Sequence, residues 1–224
     1  MTGKRCSARP VTIQDGAAFG PVSFCTVTRM RSGARRTGIF AVVLALVAQA
    51  FAEAPRADTL SDRVQLCVAC HGENGVPPDK LIPVISGQQE GYLYLQLRDY
   101  KRGDRKNDVM SPIAEALERA DMLALAEYFS QQPWPDLRQP AASDAVTVRA
   151  LRANSSVGCT GCHLGEYQGT GTQPRLSGQS RNYLLQSMMD FRTRKRGNNP
   201  GMSDLMIATS VDDLVAMADF LAGR

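Results

Sequence analysis

Apolar residues along this chain cluster at helical spacing, and no segment shows the sustained alternation of a strand, so the pattern predicts an all-α protein. The expected helices run over about Leu60–Ala69, Glu90–Lys101 and Asp121–Ser130, and again over Asp144–Gly158, Arg181–Arg194 and Val211–Leu221. They form two sets of three. Ser210 followed by Asp213 reads as an N-cap with an acid in the first helical turn. Between the sets, Gln131–Ala142 carries Pro133, Pro135 and Pro140 among polar residues, which breaks helices and stiffens an extended connection.

A different pattern opens the chain. Gly38–Ala52 is a short apolar stretch preceded by Arg29, Arg31, Arg35 and Arg36, and it ends in the small-x-small triplet Ala50-Phe51-Ala52. That combination reads as a secretory signal peptide, in preference to a core helix or an uncleaved anchor. Such a peptide is complete from Met30, so residues 1–29 read as an upstream extension of the reading frame. Arg35-Arg36 fits a twin-arginine signal poorly. The expected organisation is residues 1–52 as extension and signal, 53–132 as a first domain, 133–142 as linker and 143–224 as a second domain.

The leader changes the charge. The whole chain of 224 residues has 26 Lys and Arg against 22 Asp and Glu. Seven of those bases and one of those acids lie in residues 1–52, so residues 53–224 carry 19 and 21, a net charge of −2. The apparent basicity belongs to the leader, and nucleic acid is not the partner this composition advertises. Cys6 and Cys25 also leave with it.

What remains is four cysteines and two histidines, all in one pattern written twice: Cys67-Val-Ala-Cys70-His71 and Cys159-Thr-Gly-Cys162-His163. C-x-x-C-H is the attachment motif of c-type haem. Cysteines three apart lie on one face of a helical turn, where both sulfurs reach the vinyl groups of one macrocycle and the next residue offers its imidazole to the iron. Two disulfides would not require a histidine after each pair. A zinc site would space its pairs about 15 to 20 residues apart, whereas Cys70 and Cys159 are 89 apart. A thioredoxin-like pair would need a strand–helix setting.

The repeat extends beyond the motif. Pro83-Val-Ile-Ser-Gly-Gln88 recurs as Pro174-Arg-Leu-Ser-Gly-Gln179, Tyr92-Leu93 as Tyr183-Leu184, and Asp99-Tyr100 as Asp190-Phe191. Arg105 and Asn107 match Arg196 and Asn198, and Ala126 and Tyr128 match Ala218 and Phe220. Each unit of about 80 residues buries little core alone, so a large covalent apolar cofactor would supply missing interior.

With no spare histidine, methionine is the remaining strong ligand for the iron's far side. Met122, Met188, Met189 and Met217 lie in helical patterns, where methionine usually fills core. Met110 and Met202 sit instead in loops between the second and third helices, each 39 residues after its histidine. Met206, four residues on, rivals Met202. A methionine opposite histidine raises the reduction potential and closes the last coordination position, which favours electron transfer over catalysis.

These features resemble the cytochrome c4 group, exported two-haem proteins built of two class I cytochrome c domains. The resemblance spans Leu60–Ala222 and rests on both C-x-x-C-H motifs, both Pro-x-Ile/Leu-x-Gly-Gln segments, the Tyr-Leu helices and the loop methionines. It implies two covalent haem c groups on Cys67/Cys70 and Cys159/Cys162, with axial pairs His71/Met110 and His163/Met202. It also implies that the Pro83 and Pro174 carbonyls orient His71 and His163. The implied function is a periplasmic electron carrier, soluble or peripherally membrane-associated. Its redox partners would be a terminal oxidase, a dehydrogenase or a cytochrome bc complex. The alternatives are the cytochrome subunit of a flavocytochrome-like dehydrogenase, or a dihaem peroxidase or thiosulfate-oxidising enzyme. The basic runs Lys101, Arg102, Arg105, Lys106 and Arg192, Arg194, Lys195, Arg196 have three readings: docking an acidic partner, pairing with haem propionates, or complementing helix ends.

Overall fold

The six expected helices form, and further helical segments form beside them. A computed structural model describes residues 59–224; the expected extension and signal peptide, residues 1–52, lie outside the described residues. In the first half α1 spans Leu60–His71, α2 Glu90–Arg102, α3 Met110–Glu115 and α4 Arg119–Ser130. In the second, α5 spans Asp144–Val157, α6 Cys159–His163, α7 Arg181–Arg192, α8 Pro200–Ala208 and α9 Val211–Ala222. Among the described residues the one β feature is an isolated bridge between Thr170 and Gln173. No helix among them is long and apolar enough to cross a membrane.

Local chemistry sets the boundaries. The Thr59 hydroxyl accepts from the Asp62 amide while the Asp62 carboxylate accepts from the Thr59 amide, a reciprocal cap that starts α1. Ser210 accepts from the Asp213 amide and starts α9 as expected. In the second half the approach to the cysteine motif is broken: Gly158, at φ +73°, ends α5 and leaves Cys159–His163 as a separate turn. The first half has Leu66 at the matching position and runs unbroken. The short helices α3 and α8 replace the loops expected around Met110 and Met202.

The two halves pack alike. α4 lies against α1 and α2, with α3 also on α2; α9 lies against α5 and α7, with α8 also on α7. The first core is built from Val64, Leu93, Leu117, Met122, Leu125 and Phe129. The second centres on Ala150, Ala153, Tyr167, Leu184, Met217 and Phe220, with Phe191, Met206 and Leu214 in a smaller cluster beside it. Both cores are thin layers with a cavity on one side.

A reciprocal exchange of glutamines joins the halves. The Gln179 amide donates to the Val84 carbonyl and its oxygen accepts from the Val84 N–H, both at 2.9 Å. Gln88 repeats this on Arg175, at 3.0 and 2.7 Å. The glycine before each glutamine is required by its surroundings. Gly87 (φ +68°) and Gly178 (φ +75°) are both left-handed, and a Cβ there would lie 2.8 Å from Trp134 N and 2.9 Å from Trp134 Nε1 respectively. Trp134 belongs to the proline-rich connection, which stays extended, and Arg175 stacks over its ring at 4.5 Å. Gln139 continues the attachment, donating to the Gln179 and Ala222 carbonyls.

Gln179 is 2% exposed, so Gln179→Ala would strand the buried N–H and C=O of Val84. We expect a loss of about 2–4 kcal/mol in global stability, measured by urea unfolding of the haem-loaded protein. A loss below about 0.5 kcal/mol would contradict the role given to this exchange.

Candidate functional site

Each C-x-x-C-H motif lies within one helical segment, the end of a long helix in the first half and a separate turn in the second, so its three ligating side chains share one element. Cys67–His71 end α1 and Cys159–His163 form α6. Cys67 and Cys159 are half-buried, Cys70 and Cys162 are exposed, and none of the four is paired in a disulfide. Burial, with a smaller contribution from Cys70, pushes the Cys67 thiol up to about 11; burial raises Cys159 as well.

The histidines are sunk deeper, at 8% exposure for His71 and 6% for His163. His71 Nδ1 lies 2.9 Å from the Pro83 carbonyl oxygen, and His163 Nδ1 lies 2.9 Å from that of Pro174. A carbonyl only accepts, so each Nδ1 carries the proton and Nε2 is left with its lone pair. Burial lowers both imidazole pKa values, against a smaller opposing effect of the hydrogen bond to proline, and keeps the rings neutral. This is the protonation state a metal-binding imidazole needs.

Met110 and Met202 are capped in the same way. Asn107 Oδ1 accepts from the Met110 amide at 2.9 Å, and Asn199 Oδ1 from the Met202 amide at 3.1 Å. Asn107 therefore corresponds to Asn199, which corrects the match to Asn198 expected from sequence. The extra residue of the second half lies between Arg196 and Asn199, since Arg105 and Arg196 occupy equivalent turns with their amides on the Asp99 and Asp190 carbonyls. Met206 is 4% exposed, packed with Phe191 and Leu214, whereas Met202 sits half-buried at the edge of that cluster.

A cavity of about 1280 Å³ takes in Cys67, His71 and Met110 from the first half and Cys159, His163 and Met202 from the second. A single small-molecule pocket holds roughly 300–1,000 Å³, so this space exceeds one ordinary site and has a complete donor set at each end. Its walls include Leu93, Leu125, Phe129, Leu184, Leu214 and Leu221. A flat apolar macrocycle with a metal at its centre fits both ends: thiols at the mouth, a neutral imidazole within, a thioether on a neighbouring helix.

No protein-family model matches the chain. It is 32% identical over 168 residues to cytochrome c4 of Thiocapsa roseopersicina, covering 70% of this chain and 86% of that one. The chain belongs to the cytochrome c4 family. It is also 30% identical over 199 residues to a thiosulfate dehydrogenase electron acceptor of Stutzerimonas stutzeri, covering 83% and 92%. The crystal structure of reduced recombinant cytochrome c4 from Pseudomonas stutzeri superposes with a TM-score of 0.65 at 28% identity, over 76% of this chain and 99% of that one. As a member of the cytochrome c4 family the protein is a two-domain, all-α, dihaem electron-transfer cytochrome with two covalent haem c groups.

Half of the residues in the basic runs are committed to contacts within the molecule. Lys101 Nζ donates to the Glu115 and Leu117 carbonyls at the end of α3, and Arg192 to the Met206, Ile207 and Thr209 carbonyls at the end of α8. Both satisfy orphan C-terminal groups. Arg105 and Arg196 reach across the seam: Arg105 Nη2 donates to Tyr183 Oη and Arg196 Nη2 to Tyr92 Oη, each at 3.2 Å. Burial alone would raise the Tyr183 hydroxyl, but the two guanidiniums outweigh it and hold it down, near 7. Arg102, Lys106, Arg194 and Lys195 stay exposed.

The sequence shows Gln88/Gln179 and Tyr92/Tyr183 as repeats but not that each member serves the opposite half. The caps from Asn107 and Asn199 also escape sequence reasoning. Replacing either asparagine by alanine should cost about 1 kcal/mol and loosen the turn that carries the methionine. Thermal unfolding of N107A and N199A checks this; unchanged midpoints in both would contradict it.

Proposed function

We propose that the protein is a periplasmic electron carrier, exported by the signal peptide within residues 1–52, with domains at 53–132 and 143–224 joined by the linker 133–142. In this reading Cys67 and Cys70 hold one haem through thioether bonds and Cys159 and Cys162 the other. His71 and Met110 ligate the first iron, His163 and Met202 the second. Pro83 and Pro174 fix the two imidazoles through the Nδ1 protons. It is not an enzyme in its own right. The observation that carries the reading is the repetition of one geometry: in both halves a buried imidazole has its Nδ1 committed to a proline carbonyl at 2.9 Å, beside a cavity that also takes in an Asn-capped methionine.

When bound, each haem supplies a one-electron couple. The chain's own contribution is to hold that couple still. Each imidazole is kept neutral by burial and oriented by its carbonyl partner, so no proton has to move at Nδ1 when the charge of the site changes. Each methionine stands at the start of a capped helix, where its thioether would complete the iron's ligand set and keep small ligands out. A thioether ligand would also favour the reduced state. Apolar walls exclude water and limit reorganisation.

A second reading, the cytochrome partner of a dehydrogenase, draws on the likeness to a thiosulfate dehydrogenase electron acceptor. Under it a thiosulfate-oxidising dehydrogenase is the donor, and a terminal oxidase or a cytochrome bc complex the further partner. Both readings use the same residues and differ only in whether a stable partner co-purifies.

The mature protein should exceed its polypeptide mass by two haem groups, and the reduced form should bind no carbon monoxide. Met110→Ala and Met202→Ala should each admit one equivalent. Stoichiometric binding by the unsubstituted protein would contradict the carrier reading.

A further inference from the structure

The two guanidiniums that cross the seam meet on one oxygen. Gln96 Oε1 accepts from Arg105 Nη1 at 2.9 Å and from Arg196 Nη2 at 2.8 Å, so two positive charges flank a neutral carbonyl. Among the described residues neither guanidinium pairs with a carboxylate. Asp99, the acid of this network, is committed elsewhere: its Oδ1 pairs with Arg98 at 2.7 Å and its Oδ2 accepts from Asn198 at 2.8 Å. Arg105 lies over the Tyr100 ring at 4.6 Å and Arg196 over the Phe191 ring at 4.3 Å, which softens each charge without cancelling it. Two like charges held this close favour an anion beside them.

The remaining oxygens at this junction are phenolic. Arg105 Nη2 reaches Tyr183 Oη, Arg196 Nη2 reaches Tyr92 Oη, and the Tyr92 hydroxyl adjoins that of Tyr183. Both tyrosines and both arginines line the cavity that takes in the two donor sets. The carboxylates on the other elements packed around α7 are engaged elsewhere: Asp204 of α8 with Arg194, Asp219 of α9 with Arg181, and Asp212 and Asp213 with Arg149. On α7 itself Asp190 accepts from Gln186 and faces Lys195. At its start, where Ser180 donates to the Lys80 carbonyl, the first half brings exposed Asp79 and Lys80, opposite in charge. Burial opposes ionisation of Tyr183, but Arg105 and then Arg196 outweigh it and bring the hydroxyl down to about 7. Burial pushes Tyr100 up to about 12 and raises Tyr92 as well. One phenol of the three is singled out.

Building on the electron-carrier reading, we propose that Tyr183, set between Arg105 and Arg196 on the seam, is the proton-exchanging residue of the electron-transfer reaction and ties the electron affinity of both sites to pH. Tyr183 ligates neither iron and acts through its charge. When an electron from the donor turns a ferric site ferrous, that site loses one positive charge, and the Tyr183 phenolate takes a proton from solvent to become a phenol. On oxidation the electron passes to the acceptor and the phenol returns its proton to solvent. A ferric site favours the phenolate, so the phenol titrates lower in the oxidised protein than in the reduced one. Both midpoint potentials therefore fall as pH rises between those two values and are level on either side.

The test uses the haem-loaded protein. Spectroelectrochemical titration at a series of pH values gives both midpoint potentials for the unsubstituted protein, Tyr183→Phe, Arg105→Gln and the control Tyr128→Phe, an exposed tyrosine of α4. Proton uptake on electrochemical reduction in weak buffer is read in parallel with an indicator dye. Haem content and absorption spectrum are recorded for each, so that a loading defect in one variant leaves the other to decide. We expect the unsubstituted potentials to fall with pH around 7. The slope and the proton uptake should shrink at least about threefold in Tyr183→Phe, which has no phenol, and in Arg105→Gln, where the phenol titrates above the neutral range. Tyr128→Phe should keep both. Level potentials in the unsubstituted protein overturn the proposal. So does a slope that survives Tyr183→Phe, since the haem carboxylates, which that variant leaves in place, would then be the titrating groups. A slope kept by Arg105→Gln, or lost equally in Tyr128→Phe, overturns it as well. A protein that takes no electron at any potential overturns the carrier reading itself, a failure distinct from all of these.

Discussion

The hydrogen bond between a buried histidine and a proline carbonyl, made once in each half, is the constraint from which the rest of the architecture follows. It ties the last turn of a helix to the loop that follows it, across 12 residues in the first half and 11 in the second. It fixes the tautomer, and with it the nitrogen that is left for a metal. It also explains why the segment between motif and proline can differ in length between the halves while the distance is the same: the chain adjusts its loop, not the contact. The cores are thin because they are completed from the cavity side, a familiar solution for units of this size.

The seam between the halves obeys a second rule, reciprocity. Gln88 and Gln179 each satisfy a backbone N–H and C=O of the other half, and Arg105 and Arg196 each reach the tyrosine of the other half. A duplicated unit that pairs with its own copy makes equivalent contacts from both sides of the seam, each held by its own residue. The symmetry is broken at one place: Gln96 bonds Arg105, Arg196 and Asn198 together, while its repeat partner Ser187 meets Arg196 alone. The extended connection, through Trp134 and Gln139, is seated on this same seam and is not a loose tether.

Much of this architecture is legible in the amino-acid sequence. The paired C-x-x-C-H motifs, the six main helices and the candidate methionines follow from spacing alone, because covalent chemistry and helical periodicity act locally. The short helices α3 and α8 do not, since each is set by one asparagine cap that looks like ordinary loop composition. Nor do the roles of Lys101 and Arg192, which sequence leaves undecided between a docking face and a helix end; only the meeting of α2 with α3 and of α7 with α8 shows carbonyls waiting for them. The crossing of Tyr92 and Tyr183 to the opposite half is invisible to any argument that treats the repeats as separate domains.

The central claim is that both sites pair an imidazole with a thioether and have no open position. The measurement that addresses it most directly is a redox titration of the purified protein with a full absorption spectrum at each potential. The account predicts two one-electron steps and, in the fully oxidised protein, the weak far-red band of sulfur-to-iron ligation with an intensity belonging to two haems. A far-red band worth one haem or none, with a high-spin ferric spectrum in its place, would contradict it.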